Sequence, residues 1–405
     1  GFADSDVSVF VVPEHTKEGG LVAVLKGTSK KAKPILLLAH IDVVEARRED
    51  WVRDPFKLIE EDGYFYARGS ADDKAQAAIW TDAFIRMKQQ GFKPKRTLKL
   101  ALTCGEETTY AFNGAEWLAK NKRDLIDAEY ALNEGGGGRI DKSGKRLALA
   151  MQVGEKAVQN FQLETTNPGG HSSVPRPDNA IYSLAAAVSK VGAHEFPVQF
   201  NDTTRTFFTK TAGVLGGDMG RAITTLLAKP KDEAANAIVS KDPVFHSTLR
   251  TTCVATMLEA GHAMNALPQR ARAVVNCRIF PGVSSDAVQA DLAAAIGDAS
   301  VAITKIPPER PLAVSPPMSA KIVGPAEKLA AKYFPGVPLT PLMSTGATDG
   351  IFLAAVGIPT YGVPGIFYES DGGGAHGLNE RIRVQSLYEG RDYLFDLVKT
   401  YANQE

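Results

Sequence analysis

Over its first third the chain alternates short, uniformly apolar runs with longer amphipathic stretches. Residues 36–44, Leu36-Leu37-Leu38-Ala39-His40-Ile41-Asp42-Val43-Val44, are such a run, entered through Pro34. It is too short for a buried helix and predicts a buried strand with His40 and Asp42 at its C-terminal end. Upstream, Val7–Val12 is rich in β-branched residues, and Gly19-Gly20 is expected to turn the chain into a second strand over 21–25. Leu98, Leu100, Leu102 and Cys104 alternate with Lys99, Ala101 and Thr103, which predicts another strand. A further one is expected at Tyr130–Asn133. Asp62-Gly63 marks a hairpin, residues 75–90 a helix stopped by Gly91, and residues 115–120 a shorter helix. Strands separated by helices predict an α/β domain whose site lies at the C-terminal ends of its strands.

From about Glu155 the texture changes. Residues 158–165 alternate as an antiparallel strand with one wet face would. An Ala-rich helix is expected over 179–191, several short helices over 203–250, strands over 253–258, 271–280 and 300–306, and a helix over 286–296. The proline-rich stretch 307–317 is a boundary. Beyond it come a helix at Ala320–Tyr333, a polar loop over 344–350, a strand over 360–363, a Gly-rich loop over 372–377 and a closing helix over 384–401. The pattern predicts one domain from 1–154 and 313–405, with a second, α+β domain inserted at 155–312. There is no internal repeat or low-complexity tract.

Composition narrows the function. Lys plus Arg and Asp plus Glu balance at 46 each in 405 residues, so charge exerts no general pull toward nucleic acid or an anionic membrane. No stretch approaches the roughly 20 apolar residues that span a bilayer, so neither nucleic acid nor membrane is an expected partner. A soluble protein, periplasmic or cytoplasmic, is expected. Cys104, Cys253 and Cys277 are odd in number and widely spaced, and all three are expected as small core residues. The chain opens on Gly1 rather than Met, which leaves room for a removed leader.

Candidate chemistry collects at the predicted strand ends. His40 and Asp42 share a face of an extended chain, and His-X-Asp offers a local geometry in which a carboxylate or carbonyl can hold the non-ligating nitrogen of a metal-bound imidazole. Asp72 and Asp73 sit where Arg68-Gly69-Ser70-Ala71-Asp72-Asp73-Lys74 enters a helix, a place where an Asp also serves as a plain N-cap. Glu106 and Glu107 follow Gly105 and are expected to point to opposite sides, one toward a metal and one toward substrate. Glu134 precedes four glycines, Gly135 to Gly138, that lack the spacing of a nucleotide loop. His376 lies in the late Gly-rich loop. Two histidines and several carboxylates, with no cysteine ligand, suit zinc or a similar divalent ion in a catalytic rather than a structural site.

These segments, in this order, resemble the co-catalytic zinc exopeptidase family, which holds glutamate carboxypeptidases, yeast carboxypeptidase S, aminoacylases, succinyl-diaminopimelate desuccinylase and carnosine dipeptidases. The resemblance rests on Ala39-His40-Ile41-Asp42-Val43-Val44, on 68–74, on Gly105-Glu106-Glu107, on Asn133-Glu134-Gly135-Gly136 and on His376, with Trp51 and Asp54-Pro55-Phe56 in support. It implies a mixed-sheet zinc exopeptidase catalytic domain with an inserted α+β lid and dimerisation domain. It implies two Zn²⁺, replaceable by Mn²⁺ or Co²⁺, with Asp72 bridging them, His40 and Glu134 on one ion, and Glu107 and His376 on the other. Asp42 would orient His40. Glu106 would be the general base on a water between the metals. A Glu at position 134 goes with carboxypeptidases, acylases and desuccinylases rather than aminopeptidases or dipeptidases. In the lid, His171 of Gly170-His171-Ser172-Ser173 would stabilise the oxyanion, often across a dimer, and Asn265 and Arg278 would meet the substrate's carboxylate. Ser344 and Gly346 of the polar loop are further expected substrate contacts. Family members usually carry an N-terminal helix before the first strands, and here the chain begins close to those strands. The long lid, with its helical insertion near 203–250, is similar to the carboxypeptidase S branch.

The expected activity is hydrolysis of a peptide or N-acyl amide bond beside a free C-terminal carboxylate, in a homodimer joined through the lid. The alternatives are a dipeptidase or aminopeptidase of the same family, for which Asp349 is the acidic candidate for an α-amine partner, and a binding protein that keeps the fold without catalysis.

Overall fold

The computed structural model describes residues 1–107, 112–363 and 365–404. The chain divides into two compact units: Gly1–Gly154 with Ser315–Ser344 and Thr348–Glu405, and Glu155–Val314 with the short stretch Thr345–Ala347.

The first unit is built on a ten-stranded mixed sheet. At its centre Leu98–Thr103, Ile35–His40, Tyr130–Asn133 and Thr360–Gly362 run parallel, side by side. Antiparallel strands flank them, with Val7–Val12 and His15–Leu25 on one side and Arg146–Glu155 and Gly137–Ile140 on the other. Ile35–His40 is buried along its whole length. Its side chains alternate between two apolar layers, as the period of a strand requires. Ile35, Leu37 and Ala39 pack with Trp80, Phe84 and Met87 of the helix Lys74–Gln89 and with Leu397 of the helix Val384–Ala402. Leu36 and Leu38 pack with Leu118 of the helix Gly114–Asn121 and Leu353 of the helix Gly350–Ala355. Each buried leucine stabilises the arrangement by about 1.5–3 kcal/mol, which fixes how far the strand runs and therefore where His40 emerges.

One local expectation is corrected here. Gly19 and Gly20 do not turn the chain; the strand His15–Leu25 runs through them, opposite Val11 and Phe10. A Cβ at Gly20 would come within 2.7 Å of the Phe10 ring, so close packing inside the sheet explains that glycine.

The second unit carries a four-stranded antiparallel sheet in the order Thr252–Ala260, Arg270–Ile279, Ala157–Thr166, Ala302–Ile306. Ala157, Gln159, Phe161, Leu163 and Thr165 are buried, and the residues between them are half-exposed, apart from the exposed Thr166 at the end. The helices Ala180–Ala193 and Ser285–Ile296 pack on this sheet. Four further helices between Asp202 and Thr248 build a satellite core around Phe208, Ile223 and Leu226.

The expectation of three free core cysteines is also corrected. Cys253 and Cys277 lie opposite each other on adjacent antiparallel strands, Cα atoms 4.1 Å apart, and form a disulfide. Cys104 is a free thiol.

Candidate metal centre

The parallel strands all end at one edge of the sheet; His40, Glu106, Glu107 and Glu134 sit there because they close or shortly follow those ends, and Asp72 and His376 come in on loops. His40 closes its strand and is 2% exposed. Its Nδ1 lies 3.2 Å from the main-chain carbonyl of Asp42. A carbonyl only accepts, so Nδ1 carries a proton, which leaves Nε2 as the nitrogen that a metal would take. That nitrogen faces Asp72 Oδ1 at 3.2 Å and Glu134 Oε1 at 3.8 Å. Across Asp72, Oδ2 lies 3.1 Å from His376 Nε2, which in turn lies 3.0 Å from Glu107 Oε1. Among the described residues the donor atoms form three groups, each within 4.8 Å: His40–Asp72–Glu134 and Asp72–Glu107–His376, which share the two oxygens of Asp72, and His40–Glu106–Glu107.

Asp42 stands beside His40: its main-chain carbonyl lies 3.2 Å and its carboxylate 3.6 Å from Nδ1, and the carboxylate also accepts the N–H groups of Glu106 at 3.3 Å and Glu107 at 3.0 Å. One expected placement differs. Glu106 and Glu107 were to diverge. Gly105 adopts a positive φ of 92°, the chain leaves the extended conformation, and both carboxylates reach within 4.8 Å of His40.

The loop that presents Asp72 is held by a residue that local patterning did not single out. Glu380 is fully buried. One of its oxygens accepts Ala71 N at 2.8 Å and Asp72 N at 3.0 Å; the other accepts Arg68 Nη1 at 2.7 Å and Gly69 N at 3.0 Å. A charged residue in a polar loop normally reads as solvated, so only its position near His376 hinted at a role.

Asp73 does not cap the helix it precedes, and it is 5% exposed with Oδ2 unpartnered. Together with Gln76, Glu134 and Tyr368 it lines a cavity of about 170 Å³ beside Asp72. The peptide bond between Asp72 and Asp73 is cis.

Electrostatics and donor chemistry agree on what the site suits. Burial, then the neighbouring Glu134 and Asp349 carboxylates, push the Glu106 carboxyl up to about 10. Glu107 is raised by burial and by Asp72. Burial opposes a charge on His40, yet Asp42, Asp72 and Glu134 outweigh it and raise its pKa. Carboxylates this close are stable together only with added positive charge. The donors are imidazole nitrogens and carboxylate oxygens with no thiolate, the set that suits zinc and similar divalent ions. The residues fit a metal pair.

Asp349 is 2% exposed, and its oxygens accept Asn113 Nδ2 at 2.5 Å and Thr103 Oγ1 at 3.3 Å. It is bound into the sheet edge and does not present a carboxylate to solvent. Ser344 ends the strand Leu339–Ser344, and Gly346 follows in the turn before Gly350–Ala355.

In the second unit, Gly170–His171 pairs with Ala266–Leu267, which sets His171 beside the Asn265 segment; Ser172 N donates to Asn265 O at 3.1 Å. Both side chains are exposed. Arg278 lies toward the far end of the strand Arg270–Ile279. From Arg270 to Arg278 is roughly 26 Å at about 3.3 Å per residue, so within one chain the structure does not bring Arg278 to His171 and Asn265.

Comparison with known proteins agrees with this architecture. Residues 36–400 match the model of Peptidase family M20/M25/M40, and the chain belongs to that family of hydrolases. It is 28% identical over 400 residues to human N-fatty-acyl-amino acid synthase/hydrolase PM20D1, covering 96% of this chain and 78% of that one. It is 28% identical over 392 residues to a probable carboxypeptidase S-like 2 of Dictyostelium discoideum, covering 92% and 73%. Among solved structures, the M20 family metallo-carboxypeptidase Sso-CP2 of Sulfolobus solfataricus superposes with a TM-score of 0.73 at 20% identity, over 98% of this chain and 90% of that one, a likeness of fold.

Proposed function

We propose that this protein is a dizinc hydrolase that cleaves the peptide or N-acyl amide bond next to a free C-terminal carboxylate. The observation that carries the reading is Asp72, whose two oxygens face His40 Nε2 and His376 Nε2 separately, each histidine with one further carboxylate, Glu134 or Glu107. Zn²⁺ ions held by these residues supply Lewis acidity and lower the pKa of water toward neutrality. Glu106 belongs to neither of those two groups. It takes a proton from the attacking water and gives it to the leaving amine, the role of a general base that becomes a general acid. The Asp42 carboxylate keeps Glu106 in place by accepting the main-chain N–H of Glu106.

Arg278 is the carboxylate anchor in this reading. It is half-buried and has no carboxylate partner among the described residues, and its planar fork suits a carboxylate. Asn265 and His171 contact the substrate as well, and His171 stabilises the oxyanion; Ser344 and Gly346 line the same substrate. Their separation from Arg278 along one strand supports a homodimer, in which the partner subunit supplies the His171 and Asn265 ends. Two further supports are Glu134, a glutamate where aminopeptidases and dipeptidases of the family tend to carry aspartate, and the buried, bonded state of Asp349, which removes the acidic partner an α-amine would need. The similarity to carboxypeptidase S-like and N-fatty-acyl-amino acid hydrolases points to a small peptide or N-acyl amino acid as substrate.

The test is a mass-spectrometric hydrolysis screen of zinc-loaded protein. The panel holds dipeptides, Z-glycyl-L-phenylalanine and N-lauroyl-L-phenylalanine, each with a free or amidated C-terminus. Cleavage confined to free carboxylates is expected. Cleavage that tolerates amidation and demands a free amine would overturn the assignment.

A further inference from the structure

Lys156 is a buried amine that no carboxylate pairs with among the described residues. It joins the strands Arg146–Glu155 and Ala157–Thr166 and is 0% exposed. Among the described residues its side chain contacts two hydroxyls, Ser247 Oγ at 3.3 Å and Thr252 Oγ1 at 3.4 Å, long for hydrogen bonds to a charged donor. The ionisable groups that act on it are all basic: Arg278, Arg250 and His246. Glu195, which acts on His246 in this group, meets Arg250 at 2.9 Å.

The sheet register places Lys156 beside Arg278. Val158 pairs with Arg278, and Arg278 with Thr252, so Arg278 and Thr252 share one face of the sheet. Lys156 precedes Val158 by two residues and reaches Thr252, and therefore lies on that face as well, diagonal to Arg278. Burial, then Arg278 and Arg250, lower its pKa to about 7. Near neutral pH the amine is poised between its two states.

We propose that Lys156 is a positioning residue behind Arg278, the second cation of an anion seat, and that a substrate carboxylate arriving at Arg278 draws a proton from solvent onto Lys156. The inference rests on the reading of Arg278 as the carboxylate anchor. The carboxylate offsets the repulsion from Arg278 and adds attraction of its own, so the ammonium is favoured when substrate is bound. By reciprocity, a protonated Lys156 tightens carboxylate binding. The sign follows: below pH 7 Lys156 is already charged and binding is tight; above pH 7 binding must take up a proton and weakens as pH rises. Each pH unit by which bound substrate raises the Lys156 pKa is worth tenfold in affinity. The consequence for specificity is a marked preference for anionic over neutral ends in the substrate at mildly acidic and neutral pH.

The experiment is steady-state kinetics of the zinc-loaded protein from pH 6 to 9, on whichever of N-lauroyl-L-phenylalanine and Z-glycyl-L-phenylalanine the screen shows to be cleaved. In the unmodified protein KM is expected to rise several-fold above pH 7. Lys156→Met should have a KM several-fold above the parent's at pH 6.5, with no rise above pH 7 and with kcat within about threefold, the scale of an interaction that acts on binding rather than chemistry. Lys156→Arg, permanently charged, should keep the low KM and also lose the pH dependence, an outcome a merely structural role would not produce. If Lys156→Met does not fold, Lys156→Arg decides alone: a retained rise of KM above pH 7 overturns the inference. The two levels separate cleanly. Arg278→Met with an unchanged KM removes the anchor itself, whereas a raised KM in Arg278→Met with parental behaviour in both Lys156 variants leaves the anchor standing and removes the inference. If the screen shows only a dipeptide cleaved, the same kinetics are run on that dipeptide; cleavage of no free-carboxylate substrate removes the functional reading and the inference with it.

Discussion

Glu380 accepts the main-chain N–H of Asp72 at 3.0 Å, so a buried carboxylate from the His376 side of the chain fixes the residue that both histidines face. The same side chain takes Arg68 at 2.7 Å, with both partners buried. Glu380→Gln keeps the shape but removes the charge and turns an amide donor toward main-chain donors. Breaking a buried pair of this kind costs about 3–5 kcal/mol. Loss of a residue that orients a ligand typically costs 10–100-fold in metal affinity. Denaturant unfolding and zinc titration of Glu380→Gln check both; parental zinc affinity would exclude the positioning role.

Glu106 should matter for turnover and not for metal. Glu106→Gln is expected to keep its zinc content and to lose about two to four orders of magnitude in kcat, the weight of a general base. Kinetics and elemental analysis on the same sample settle it, and near-parental kcat would end the proposed role.

Metal stoichiometry should follow the sharing of Asp72. His40→Ala and His376→Ala are each expected to lose one of two ions, because they sit in separate donor groups. Asp72→Asn, which weakens both groups, should lose both. Zinc itself should stabilise the fold, by about 2.7 kcal/mol at a free concentration 100 times its dissociation constant. Thermal melts with and without chelator measure this; equal midpoints would contradict a metal site that depends on the folded state.

The disulfide should contribute to the second unit alone. Cys253 and Cys277 are 24 residues apart in sequence, and closing a loop of that order stabilises by about 2–4 kcal/mol. A Cys253→Ala/Cys277→Ala protein should unfold at lower denaturant and no longer respond to reductant, while zinc binding is unchanged.

Several parts of this architecture were legible along the chain because their causes are local. The strand at Ile35–His40 announces itself by an unbroken apolar run, and the helix Lys74–Gln89 by its amphipathic pattern and terminal glycine. Candidate donors stand out because each directly follows such an element, where a polar residue has no packing reason to be. Other features depend on contacts that no window of sequence contains. Glu380 looks like any loop carboxylate until the loop from Arg68 to Asp72 folds over it. Lys156 precedes the alternating stretch 158–165 and gives no local sign of burial, yet its side chain is buried and reaches Ser247 and Thr252, far along the chain. Gly19 and Gly20 carry the composition of a turn, yet sheet packing against Phe10 overrides that preference.

By itself, then, the sequence determined the elements, their order and the residue types at their ends, since hydrophobic periodicity and turn chemistry act over a few residues. The tertiary structure decided which of these ends meet. Only parallel pairing of the central strands brings His40, Glu107 and Glu134 to one edge, and only the folded loops set His40 and His376 on opposite oxygens of Asp72. Strand register joined Cys253 to Cys277 and set Lys156 behind Arg278. Register is a sum of packing over whole strands and their covering helices, and for that reason it is invisible to any local pattern.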